Sequence, residues 1–303
     1  MNYTTEKVKS QDKTIAQYIK HSNKSQERTN ILAEVYFQLW KETKEEKYLN
    51  LHNNTANCHD FAMFRHYLDN ESTTKLKKLN RCKNPLCVFC SWVDAKKRYN
   101  TLAGAVEYLK TEGYTPKHLV ITVPNVKIDN LKNQINILHK VITQTLRHFK
   151  VQGYYRSTEI SYNAKENTYH PHAHILITDY IEIDKITQFS ANIYKKYDQN
   201  YKYDYIIANI SKCDYVKELC KYITKPTDFE HKQIYDLIKH ESIKGLRKYA
   251  MSGHIKEAYK KINQFSQIQN AMQKTELEFF GWFDALYNLN NGKQLQKSEI
   301  CTK

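Results

Sequence analysis

Apolar positions recur at three-four spacing in some stretches of the chain and alternate with polar ones in others, which separates helices from strands. Leu32, Val35, Tyr36, Leu39 and Trp40 form a helical stripe inside a polar, lysine-rich segment, residues 1–55, read as a loose arm carrying one helix. Trp92, Ala95, Tyr99, Leu102, Val106 and Leu109 mark the inward face of a long amphipathic helix. HLVITVPNV, residues 118–126, is β-branched and stops at Pro124, as a strand edge does. Leu131, Ile135, Leu138, Ile142 and Phe149 then return to helical spacing.

YRSTEISYN, residues 155–163, alternates Thr158, Ile160 and Tyr162 with Ser157, Glu159 and Ser161, the signature of a half-buried strand. After the polar turn AKEN, YHPHAHILITD places Ala173, Ile175 and Ile177 on one face and His170, His172 and His174 on the other, so the two segments read as a hairpin. A helix with Ile183, Ile186, Phe189 and Ile193 and a Tyr-rich strand at 201–210 follow. Asp214 to Lys225 reads as a short helix stopped by Pro226. The remainder reads as helical, including LEFFGWFDALY, taken as a core or docking helix that leaves a homodimer open. The pattern predicts an α+β protein: a polar arm with a helix at 1–55, a metal-binding segment and long helix at 56–114, a sheet domain at 115–226, and a helical C-terminal region at 227–303.

Composition narrows the partner. The 303 residues carry 47 Lys plus Arg against 32 Asp plus Glu, a net charge of +15, which favours a polyanion, with nucleic acid ahead of an anionic membrane surface. Neither a dinucleotide fingerprint nor a Walker phosphate loop is present, so ATP-driven readings fall. No stretch approaches 18 apolar residues and the N-terminus lacks a signal-peptide core, so the expectation is a cytoplasmic protein without membrane association. The run NIYKKYDQNYKYDYIIA interleaves lysines with aromatics, as surfaces that bind single strands do.

Three groupings carry chemistry. Histidines at i, i+2 and i+4 of a strand project to one side with Cα atoms about 6.6 Å apart, close enough for two imidazoles to share one divalent ion. If the apolar faces of the hairpin coincide, its register puts Glu159 on the histidine side as a further ligand. On the 214–225 helix, Val216, Leu219, Cys220 and Ile223 form a packing stripe, and Glu218, Lys221, Tyr222 and Lys225 fall opposite it. A carboxylate, a phenol and two ammonium groups thus share a face, and a phenol needs such a cationic setting to act as a nucleophile. Finally, Cys82, Cys87 and Cys90 have the spacing of a tetrahedral zinc site, with Cys58 as the nearest fourth ligand and His59 as the alternative. Such an ion would pin the N-terminal segment to the helix after Trp92, whose Lys96, Lys97 and Arg98 could face DNA phosphates.

HPHAHILI followed by KELCKYITK resembles the HUH endonuclease superfamily, specifically the rolling-circle replication initiators, or Rep proteins, of small Gram-positive plasmids. RCKNPLCVFCSW, HLVITVPNV, the EISYN to HPHAHILI hairpin and the Glu-x-x-x-Tyr helix carry the likeness, with a fainter echo in IKGLRKYAMSGHIKEAYK. The resemblance implies a palm with a central antiparallel sheet flanked by helices. It further implies Mg²⁺ or Mn²⁺ on His172 and His174 with Glu159 as the third ligand, and His170 either as a ligand or as the group that orients His172. Tyr222 matches the nucleophile, which would form a 5′-phosphotyrosyl link to single-stranded or hairpin origin DNA. Glu218 matches the carboxylate that activates water for termination. Tyr215, seven residues earlier, stands as a possible second nucleophile. The implied partners are a host helicase and polymerase. Two other readings remain at this stage: a single-tyrosine HUH transposase or relaxase, and a non-catalytic, basic, zinc-containing DNA-binding regulator.

Overall fold

The computed structural model describes the chain apart from residues 1–12, 69–70, 72, 199–208, 211–215, 217–218, 221–228, 280–281 and 296–303. It divides into two units, Met1–Ser91 with Ser266–Lys303, and Trp92–Phe265.

In the first unit, α1 (Lys13–Thr43) is a 31-residue helix and α2 (Glu46–Ala56) packs beside it, with the Tyr36 and Tyr48 rings stacked 6.5 Å apart. The segment from residue 13 to residue 31 is therefore helix and not a loose arm. Its inward stripe is continued N-terminally by Ser22, Ser25 and Thr29, all buried, so hydrogen bonds do there what apolar contacts do at Leu32, Val35 and Leu39, and a hydrophobic pattern does not register them. Next come β1 (Phe61–Tyr67), β2 (Thr74–Leu79), the first four residues of α3 (Val88–Thr111), whose remainder belongs to the second unit, and, from the C-terminal part of the chain, β8 (Trp282–Asn288) and β9 (Gln294–Leu295). The strands form an antiparallel sheet in the order β2-β1-β8-β9. Ala62, Phe64 and His66 alternate inward along β1, and Phe64 meets Tyr18 of α1 and Tyr287 of β8 edge to face. The helix expected over LEFFGWFDALY is corrected here: Trp282–Asn288 is a strand. A short apolar run is compatible with either element, and pairing of Phe64 with Ala285 and of Ala62 with Tyr287 decides for the sheet.

The second unit is built on a five-stranded antiparallel sheet, β6-β3-β5-β4-β7, with β3 Lys117–Thr122, β4 Gly153–Asn163, β5 Thr168–Ile177, β6 Asn209–Ile210 and β7 Tyr249–Ser252. Its helices are α4 (Ile128–His148), α5 (Ile183–Lys195), α6 (His231–Lys239) and the start of α7 (Gly253–Phe279). One sheet face, with Leu119, Ile121, Ala173, Ile175 and Ile177, is covered by Leu138, Val141 and Ile142 of α4 and Ile186 and Ile193 of α5. The opposite face, with Tyr155 and Leu176, is covered by Leu102, Ala105, Val106 and Leu109 of α3, Ile255 and Ala258 of α7, and Val216, Leu219 and Cys220. Because both faces are packed, the strands carry apolar residues on both sides near one end, and the polar residues of the second face collect towards the other. β7 is held against β4 at a close backbone approach: Gly153 bridges Gly253, whose φ is +54°, and any Cβ on Gly253 would lie 1.6 Å from the Gln152 carbonyl oxygen.

Candidate active site

The hairpin register is Thr158 opposite Ala173, Glu159 opposite His172 and Ser157 opposite His174. This puts the Glu159 carboxylate among the histidines on the second face, beyond the point where Leu176 disappears beneath α3. Glu159 Oε2 lies 3.6 Å from His172 Nε2 and 3.3 Å from His174 Nε2. Ligands bonded to one ion at about 2.1 Å sit roughly 3.0–3.5 Å from one another for octahedral to tetrahedral angles, so this donor set fits a divalent cation. Glu159 is 3% exposed and each imidazole 11%, leaving the nitrogens at the rim of the packed face. Burial alone would raise the Glu159 pKa, but hydrogen bonds from His172 and His174 outweigh it and hold the carboxyl below its usual range.

Contacts behind the imidazoles orient them. His174 Nδ1 lies 3.2 Å from His118 Nε2, with the two rings stacked at 8°. Burial, and then His174, lower the His118 pKa to about 4, so His118 is neutral; it can donate Nε2–H to His174 Nδ1 while His174 Nε2–H bonds Glu159, and with an ion on His174 Nε2 it would instead accept the His174 Nδ1 proton. His172 Nδ1 points at the His170 carbonyl at 3.4 Å. His118 was missed by sequence reading. Alternation within HLVITV places it on the same side as Val120 and Thr122, but only the pairing of β3 with β5 puts that side against the histidine row.

His170 stands apart from the ligand set. Its Nε2 bonds Thr122 Oγ1 at 2.8 Å and its Nδ1 bonds Asn125 Oδ1 at 2.6 Å, so both ring nitrogens are engaged, and the atoms within mutual ligand range are those of Glu159, His172 and His174. The direct-ligand assignment of His170 is corrected accordingly. Tyr222, Glu218, Lys221, Lys225 and Tyr215 lie outside the described residues. Their neighbours Val216, Leu219 and Cys220 are described and are buried on the histidine side of the sheet, in the stripe that the helical spacing predicts.

In the first unit, Cys58, Cys82, Cys87 and Cys90 converge. Their sulfurs lie 3.7 Å (58 to 87), 3.5 Å (58 to 90) and 3.6 Å (82 to 90) apart, close to the roughly 3.8 Å tetrahedron edge implied by a 2.3 Å zinc–sulfur bond. Hydrogen bonds among the sulfurs, Cys82's foremost, push the Cys58 thiol above its ordinary range, while those led by Cys58 hold Cys90 below it. As thiolates the four would repel one another unless a cation lay among them, so the donor set fits a tetrahedral metal ion. His59, the alternative ligand, is excluded by its own bonds: Ser22 Oγ holds Nδ1 at 2.8 Å and Thr29 Oγ1 holds Nε2 at 3.0 Å. Among the described residues no helix is long and apolar enough to cross a membrane.

A family model described as "Replication protein" matches residues 73–278, more than half of the chain. The chain is 38% identical over 108 residues to a "Protein rep" of Staphylococcus aureus, covering 34% of this chain and 47% of that one. It is 31% identical over 156 residues to a "Protein rep" of Bacillus amyloliquefaciens, covering 50% and 45%. A "Protein rep" of Streptococcus pneumoniae serotype 2 is 28% identical over 264 residues, covering 79% and 78%. The chain spans about half the length of the first two of these relatives. No solved structure matches it. The chain belongs to the replication-protein family, the Rep proteins of rolling-circle plasmids.

Proposed function

We propose that the protein initiates rolling-circle replication of a plasmid by nicking, and later rejoining, one DNA strand at the origin. The convergence of Glu159, His172 and His174 on one face of the β4–β5 hairpin, in a chain of this family, carries the reading. Glu159, His172 and His174 would hold Mg²⁺ or Mn²⁺, and such an ion would supply Lewis-acid polarisation of the scissile phosphate. His118 keeps His174 in the ligating tautomer, and the packed second face shields the site from bulk water. The Tyr222 phenol oxygen forms the new bond to phosphorus as the bond from phosphorus to the 3′ oxygen breaks. The leaving oxygen takes up a proton and becomes the primer 3′-OH, and the 5′ end stays on Tyr222. Lys221 and Lys225, on the face predicted for Tyr222, lower the cost of its phenolate. At termination Glu218 takes a proton from a water that cleaves the regenerated origin site, and the 3′-OH so released attacks the phosphotyrosyl phosphorus, which joins the strand and frees the Tyr222 phenol. The four cysteines hold a structural zinc ion that ties the β1–β2 segment to the start of α3. Single-stranded or hairpin origin DNA, a host helicase and a polymerase are the partners.

Burial of Val216, Leu219 and Cys220 on the histidine side of the sheet matches the packing stripe that helical spacing predicts for 214–225, which supports reading that segment as the helix that carries Tyr222. The test is incubation with end-labelled single-stranded origin DNA and Mn²⁺, followed by a denaturing gel. Wild-type protein should yield a shifted covalent adduct that maps to Tyr222 by mass spectrometry, and Tyr222→Phe should yield neither adduct nor nick. A Tyr222→Phe protein that still cleaves refutes the assignment, and a wild-type protein that binds DNA without cleaving it points to a regulator.

A further inference from the structure

On the face that carries the Glu159 cluster, two cations meet over one aromatic ring. Tyr249 of β7 pairs with Ser157 of β4, and Ser157 pairs with His174 of β5, so a single row runs from the tyrosine to the imidazole. Two strand spacings separate its ends, about 10 Å. The Arg98 guanidinium of α3 lies 4.1 Å from the centre of the Tyr249 ring and the Lys248 ammonium 4.9 Å from it. The Lys248 carbonyl accepts a hydrogen bond from the Thr158 N–H at 2.9 Å, which fixes this residue beside Glu159. Lys248 lies in the fields of Arg98, Glu159, Asp94 and Cys220, and Cys220 is two residues from the proposed nucleophile. Among the described residues neither Arg98 nor Lys248 forms a salt bridge with a carboxylate, although Asp94 and Glu159 stand nearby. Burial and the adjacent Arg98 push the Lys248 ammonium down to about 7. Two like charges pressed together and partly stripped of water favour an anion between them, and a guanidinium with an ammonium is a donor set suited to phosphate.

The geometry points to Arg98 and Lys248 as a phosphate-gripping wall of the active site, which holds a backbone phosphate of the bound single strand beside the Glu159 cluster. This rests on the nicking reading, but it is a claim about binding and can fail separately. Aromatic stacking by Tyr249 keeps the two charges pre-organised at the sheet edge, so that strand binding does not have to order them.

The test uses the full chain and a fluorescein-labelled oligothymidylate, with anisotropy followed across a salt titration. Lys248→Met and Arg98→Met should each weaken binding about tenfold at low salt, as loss of a charge-assisted contact does. Each should also lower the magnitude of the slope of log affinity against log salt by about 0.7, the value for one phosphate contact to a single strand. Lys248→Arg should restore both, whereas a merely structural lysine would not be rescued in the salt slope. Calorimetric Mn²⁺ binding should be unchanged in all three variants. Unchanged affinity and slope in the methionine variants, or no rescue by arginine, would overturn the wall. A wild-type protein with a wall-dependent slope that yields no adduct with Mn²⁺ would leave the wall in place and remove the nicking mechanism instead.

Discussion

The two ligand clusters differ in how they are closed. In the first unit four sulfurs surround one point, and Cys58, Cys87 and Cys90 are each at most 1% exposed. In the second unit a buried carboxylate and two imidazoles, each 11% exposed, supply three donors and no more within mutual ligand range among the described residues. A closed thiolate set suits an ion that ties chain segments together, whereas an open N/O set leaves coordination positions for a reacting group. The supporting contacts differ in the same sense. Around the cysteines, the hydrogen bonds of His59 with Ser22 and Thr29 tie α1 to the segment just after Cys58. Around Glu159, the bonds of His174 with His118 and of His172 with the His170 carbonyl set which nitrogen carries the proton, a matter of reactivity and not of stability alone.

If that contrast is right, removing the ion from the cysteine cluster should have the largest effect. Cys58→Ser, or a strong chelator acting on the unfolding equilibrium, should destabilise the first unit by on the order of 10 kcal/mol, the scale of structural zinc binding in small domains. Urea unfolding with parallel zinc analysis checks this, and a Cys58→Ser protein that is metal-free yet as stable as wild type would erase the distinction. Glu159→Gln should do the reverse: it should leave the unfolding midpoint nearly intact while slowing strand cleavage by about a thousandfold, the several kcal/mol that a lost cation supplies. Measured cleavage within tenfold of wild type would place the ion elsewhere. His118→Ala should weaken Mn²⁺ binding by about 10- to 100-fold without touching the metal, and equal affinities by calorimetry would show that His174 needs no orienting partner.

The most gradual effect, spread over several pH units, concerns His139 in the second unit, whose Nε2 bonds Thr158 Oγ1 at 2.8 Å. Burial, and then Arg156, lower its pKa to about 3. The unfolded chain takes up this proton near pH 6.5 and the folded one only near 3, so the contribution is complete above 6.5 and declines as pH falls through that window. The decline should reach at most about 1.4 kcal/mol per pH unit. His139→Gln should flatten that part of the stability–pH curve; a curve parallel to wild type would assign the acid sensitivity to other groups.

The hairpin shows what could be read without coordinates. Period-two alternation put Glu159 and the three histidines on one side because a strand permits only two sides, and the partners Thr158, Ile160, Ala173 and Ile175 marked the opposite side, although both turned out to be packed. The same logic failed at Trp282–Asn288, where a continuous apolar run carries no period, and at β1 and β2, where Lys75, Lys77 and Lys78 mask a strand whose packed face is carried mainly by its partner. His118 and Lys248 were unreadable as site residues for a different reason. Each is ordinary in its own segment, a histidine opening a strand or a basic residue in a basic chain, and acquires a role only from the element packed against it.

By itself the sequence determined most elements of the second unit, the net charge, the cysteine group and the shared side of Glu159 and the histidines, since these depend on local geometry and on near neighbours along the chain. Tertiary structure decided that Cys58 and not His59 completes the thiolate set, that His170 is taken up by Thr122 and Asn125, and that His118 stands behind His174. Those outcomes depend on which strands pair and which helix crosses them, and pairing between distant segments is set by the summed packing of whole faces, which no single segment encodes.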